Sequence, residues 1–97
     1  MQLNNIQLKK NSILHLQTYV VLRDDFVCFN KITGEVITLN QTGYLLLKLL
    51  TCHSPIEKIA ACISKNFEIC FDSALKDIID FYIKMVKSDI IKIEKYE

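Results

Sequence analysis

The chain has 97 residues, of which 51% are hydrophobic and 24% charged; that length supports one domain with one core, and that apolar fraction excludes a chain disordered throughout. Twelve basic residues balance eleven acidic ones to a net charge of +1, and Arg23 is the only arginine, which leaves poor equipment for reading phosphates or base edges. A large multi-substrate enzyme and a strongly basic nucleic-acid binder are both disfavoured.

In chain order, residues 1–18 come first. Leu3, Ile6, Leu8, Ile13, Leu14 and Leu16 make this stretch too apolar for a free tail, yet Asn4-Asn5 and Lys9-Lys10-Asn11-Ser12 interrupt any regular element. It is read as an N-terminal extension without assigned structure, with the domain proper spanning 19–97. No basic stretch followed by an apolar run opens the chain, and Lys48 interrupts the longest apolar run, Tyr44 to Leu50. The expectation is a cytoplasmic protein with no membrane partner.

Tyr19 to Arg23 and Phe26 to Phe29 read as two short strands with Asp24-Asp25 as the hairpin turn. Lys31-Ile32-Thr33-Gly34 is a second turn in which Gly34 supplies a positive φ, and Glu35 to Leu39 then forms a third strand. Asn40 is a suitable N-cap for a first helix over Gln41 to Leu50. Ser54-Pro55-Ile56-Glu57 places an N-cap Ser, a Pro at the first helical position and an acidic residue in the first turn. Ile56, Ile59, Ala60, Ile63 and Phe67 follow on one face of that second helix, which ends near Asn66. Asp72 or Ser73 opens a third helix running to about Lys87, and Ile90 to Ile93 suits a short terminal strand. Three antiparallel strands followed by three helices define an α+β, winged-helix-like fold.

Catalytic chemistry has no visible carrier. His15 and His53 are far apart in sequence, and two glycines, Gly34 and Gly43, cannot build a phosphate-cradling loop. Cys28, Cys52, Cys62 and Cys70 lack the close-pair spacing of a structural zinc site, so they are expected to be small buried or half-buried thiols. Asp77 and Asp80 share a helical face with Lys76, Lys84 and Lys87 and read as solvated surface. No enzyme activity, cofactor or metal is expected.

The informative feature is the third helix. At about 100° per residue its polar positions fill an arc of roughly 120°, leaving Ala74, Leu75, Ile78, Ile79, Phe81, Tyr82, Ile83, Met85 and Val86 on an apolar face of about 200°, wider than docking on a core requires. The third strand carries neither Pro nor Lys to block an edge. Edge and helix together suggest a trough for an extended peptide, with Glu35, Val36, Ile37, Thr38 and Leu39 on one wall. The other wall is expected from the surplus flank Leu75, Ile79, Ile83 and Val86, together with Tyr82 from the core stripe of Ile78, Phe81, Tyr82 and Met85.

Phe29-Asn30-Lys31-Ile32-Thr33-Gly34-Glu35-Val36-Ile37-Thr38-Leu39-Asn40-Gln41-Thr42-Gly43 resembles the strand-turn-strand and Leu-Asn-x-Thr-Gly signature of the PqqD-like proteins, the RiPP recognition elements. Asp77-Ile78-x-x-Phe81-Tyr82-x-x-Met85-x-x-x-Asp89-Ile90-Ile91 is similar to that family's closing pattern, with Asp89 where the family has Gly and Thr51-Cys52-His53 where it has Asp-Gly. The small stand-alone elements of lasso-peptide pathways look nearest. The resemblance implies a non-catalytic adaptor that binds the leader of a ribosomally made precursor peptide as a strand added to the third strand, against the third helix. The partners it implies are that precursor and a modifying enzyme or leader peptidase. A winged-helix DNA-binding protein and a small structural subunit of a larger enzyme are the alternatives; the mixed charges of Lys76, Asp77, Asp80, Lys84 and Lys87 argue against the first.

Overall fold

A computed structural model describes residues 8–95, so Leu3 and Ile6 lie outside the described residues. The elements are β1 (Ile13–Leu16), β2 (Val20–Leu22), β3 (Val27–Asn30), β4 (Val36–Thr38), α1 (Gln41–Leu49), α2 (Ile56–Phe67), α3 (Phe71–Lys87) and β5 (Ile91–Lys95), with a short 3-10 turn, Leu50–Cys52, after α1. Strands β2, β3 and β4 form an antiparallel sheet in that order, while β1 and β5 pair antiparallel as a separate ribbon. The fold is α+β, a three-stranded sheet followed by three helices, and a winged-helix-like arrangement is compatible with it. The expected third strand is β4. No described helix is long and apolar enough to cross a membrane.

Residues 8–18 join the folded core, with Leu8, Ser12 and Leu14 buried. Leu14 is 1% exposed and its backbone pairs with Ile93, joining the two ends of the domain. The same segment caps α2: Ile56 N–H donates to the Ser12 carbonyl and Glu57 N–H to the Lys10 carbonyl. Ser54, expected to cap that helix, makes no such bond. Pro55 occupies the cap position, and two backbone acceptors from a distant part of the chain replace the side chain.

Turn chemistry follows the sequence at β3–β4. Asn30 is buried, and its Oδ1 accepts from Ile32 N–H at 2.9 Å and Thr33 N–H at 3.1 Å. Gly34 closes the turn at φ +80°, a region in which only Gly is unstrained. At β2–β3 the structure departs from expectation. Phe26 is not in the strand; it takes φ +65° in the turn, with its ring 4.8 Å from that of Tyr44, whose hydroxyl donates to Asp24. This tilted ring contact with α1, with backbone bonds from Phe26 N–H to the Arg23 carbonyl and from Leu39 N–H to the Phe26 carbonyl, accompanies a conformation an aromatic residue otherwise avoids. Asp89 also adopts a left-handed conformation, φ +62°, and its carboxylate accepts from Tyr19 Oη at 2.6 Å and Gln17 Nε2 at 3.1 Å. That hydrogen bond, with smaller contributions from desolvation and the Asp89 charge, holds the Tyr19 hydroxyl above the ordinary phenol range.

The thiols also differ from expectation: Cys28 is buried on the inner side of β3, but Cys52, Cys62 and Cys70 are exposed and free. Each sits where its element meets solvent, at the end of the 3-10 turn, on the outer face of α2 and at the N-cap of α3. Among the described residues no group of three or more His, Cys, Asp or Glu is placed to hold a metal.

The core stripe of α3 is Ala74, Ile78, Tyr82 and Met85. Tyr82 is completely buried, and its hydroxyl donates to the Leu46 carbonyl in α1 at 2.7 Å; burial pushes that hydroxyl far above the usual phenol range. Tyr82→Phe should lower unfolding free energy by about 1–2 kcal/mol, since it strips a buried carbonyl of its donor. Asn30→Ala should cost about 1–3 kcal/mol by orphaning two turn amides. Urea denaturation checks both, and wild-type midpoints would contradict the roles given to these side chains.

Candidate functional site

Strand β4 pairs with β3 alone, so its other edge carries no strand among the described residues. Asn30 N–H donates to the Glu35 carbonyl and Leu39 N–H to the Phe26 carbonyl, and Ile37 faces Cys28 across the pair. Residues 35, 37 and 39 thus direct their backbone groups toward β3. Alternation along a strand turns the N–H and C=O groups of Val36 and Thr38 outward, toward the open edge. Side chains alternate too: Val36 and Thr38 are exposed on the outer face of the sheet, while Ile37 is half-buried and Leu39 buried beneath it.

Beneath this edge lies a cavity of about 430 Å³ between β4, the start of α1 and one flank of α3. Ile37, Thr38 and Leu39 form the strand wall, Asn40, Thr42, Gly43 and Leu46 the α1 side, and Ile63 and Ile69 one end. The α3 wall is Ala74, Asp77, Ile78, Phe81, Lys84 and Met85. The lining is apolar apart from a few threonine, asparagine and charged side chains, the composition expected of a recognition groove.

Gly43 explains how α1 and α3 come so close here. The Asn40 side chain accepts from Gly43 N–H at 2.7 Å, capping α1. A Cβ on residue 43 would lie 3.2 Å from Asn40 Oδ1 and 3.3 Å from Phe81 Cε1. The Asn-x-Thr-Gly sequence therefore starts a helix and leaves room for the Phe81 ring at the groove floor.

The structure brings together only part of the residue set expected from sequence. Of the strand residues, Ile37 and Leu39 line the cavity from beneath the sheet and Thr38 borders it at the strand edge, whereas Val36 is absent from the lining and Glu35 is exposed in the turn before β4. On α3, none of Leu75, Ile79, Tyr82, Ile83 and Val86 lines it. Tyr82 is in the core, and the other four are half-buried and packed against it. Because α3 packs against both α2 and β5, much of its wide apolar face is used inside the domain. The groove instead takes the flank where the apolar stripe meets the polar arc. Phe81, expected in the core, is half-buried and packs against it while also lining the cavity, and Asp77 and Lys84, expected as solvated surface, are exposed at its rim. Gly43 was the sequence signal for this flank, since a glycine in a first helical turn marks close approach by another element.

A second concave patch lies on the outer face of the sheet, where Val21, Phe29 and Val36 align across the three strands beside Val27, Arg23 and Lys31.

The family model for coenzyme PQQ synthesis protein D (PqqD) matches residues 13–91. No curated protein matches the chain. A solved structure, a lasso peptide synthetase B1 complexed with the leader peptide, superposes with a TM-score of 0.73 over 82% of this chain and 98% of that one, at 19% sequence identity. At that identity the likeness establishes a shared fold, and the family match, which spans β1 to the start of β5, settles the lineage: this chain belongs to the PqqD family.

Proposed function

We propose that this protein is a non-catalytic adaptor that binds the leader of a ribosomally synthesised precursor peptide and presents it to a maturation enzyme or leader peptidase, in a pathway of the lasso-peptide kind. The observation that carries this reading is the open edge of β4 directly above an apolar cavity. An extended peptide on that edge satisfies the outward backbone groups of Val36 and Thr38 and turns every second side chain down between β4 and α3. Its other side chains extend the outer face of the sheet. The structural neighbour, described as complexed with the leader peptide, supports the same class of ligand.

The binding wall on α3 is then the Asp77, Phe81 and Lys84 flank rather than the flank carrying Leu75, Ile79, Ile83 and Val86. Burial of apolar side chains supplies most of the affinity, because few charges line the groove.

Thr38→Pro removes an outward N–H while leaving the bonds to β3 in place, so leader affinity should fall tenfold or more in a folded protein. Ile69→Lys should weaken binding similarly, since Ile69 is 42% exposed at the end of the groove and contributes little to the fold. Ile83→Lys should bind as wild type, its ammonium reaching water from the far flank. Calorimetric titration with the leader of a precursor encoded beside this protein reads all three. Loss of binding in Ile83→Lys with normal binding in Ile69→Lys would place the peptide on the opposite side of α3. Affinity should decline only modestly from low to physiological salt; a steep decline would indicate a polyanionic ligand such as duplex DNA.

A further inference from the structure

We propose that Asp77 and Lys84 read the charge pattern of the bound peptide and so fix its direction along the groove. The peptide carries a basic side chain where it passes Asp77 and an acidic one where it passes Lys84. This inference rests on the peptide-binding reading above.

Backbone pairing to β4 and apolar contact below it discriminate poorly between the two directions in which a peptide can lie, because both parallel and antiparallel strands satisfy an open edge. Something else must break that degeneracy. Asp77 and Lys84 are the two charged residues lining the cavity, and they carry opposite signs. They are seven residues apart on α3, about 20° around the helix and about 10.5 Å along it, with Phe81 between them. Side chains on one face of an extended strand recur about every 6.6 Å, so peptide positions two or four residues apart bracket that separation.

The side chains of both residues are exposed and form no hydrogen bond or ion pair among the described residues. Lys84 stays unpaired although Asp80 stands four residues before it, the spacing at which helix surfaces form ion pairs. The two charges are therefore free for a ligand. A peptide laid over the apolar floor excludes water from them and raises the cost of a like-charge encounter. Wrong-way binding places like against like at both ends, which is discrimination by repulsion as well as by attraction.

The test needs no known leader. Displayed random 12-residue peptides are selected on the wild-type domain and on an Asp77→Lys/Lys84→Asp double variant, with melting curves confirming that both are folded. Wild type should enrich peptides with a basic and an acidic residue two or four positions apart in one order. The double variant should enrich the reverse order, and each pool's peptides should bind their own protein roughly threefold or more tighter than the other. The neutral variants Asp77→Asn and Lys84→Gln should each lose one of the two preferences, which keeps the test decisive if the double variant unfolds. Enriched pools with the same charge pattern on every variant would overturn the directional role and leave the peptide groove standing. No enrichment on any variant, wild type included, would remove the peptide-binding reading and this inference with it.

Discussion

The groove depends on how closely α1 and α3 approach one another. Two contacts fix that approach. At the start of α1, Gly43 leaves space for the Phe81 ring; one turn later the Tyr82 hydroxyl binds the Leu46 carbonyl. The first is a steric allowance and the second a directional bond, and adjacent residues of α3 supply both. Together they set the position of α3 relative to the end of β4, because β4 leads through Leu39 and Asn40 straight into α1. The distance between the strand wall and the helix wall is thus set by residues that also line the cavity, Gly43, Leu46 and Phe81, together with the buried Tyr82 behind them.

The residue types on α3 follow from this packing. Tyr82, Ile78 and Met85 are buried and set the helix position, and Ile78 and Met85 also form part of the cavity wall. A quarter-turn or so further around, Phe81 is half-buried and Asp77 and Lys84 are exposed. The cavity therefore opens where the apolar stripe of the helix meets its polar arc.

Local pattern made most elements legible. The apolar run at Val20–Leu22 with its two β-branched valines, the Asn30 and Gly34 turn and the Asn40 cap each arise from interactions within a few residues, so sequence alone locates them. Strand β1 was not legible, because its partner lies at the other end of the chain and no local signal announces the pairing. Ser54 misled for the same reason: the acceptors at the start of α2 come from Lys10 and Ser12. On α3 the helical wheel identified which side chains are apolar but held no information about which neighbour each one meets. The wheel alone does not show that Leu75, Ile79, Ile83 and Val86 pack against the core, nor that Asp77 and Lys84 border a cavity, because a solvated face and a cavity rim share one composition.

The pairing of β1 with β5 also bears on how the domain is made. Leu14 pairs with Ile93, so β1 can meet its partner only once the chain through β5 has been made. Closing that ribbon joins segments separated by nearly the whole chain, the kind of contact that slows folding through loop-closure entropy. The N-terminal segment has meanwhile an earlier station available at the start of α2, where Lys10 and Ser12 offer their carbonyls. Docking there first would shorten the remaining search, with the last strand of the chain acting as the clasp that completes the fold.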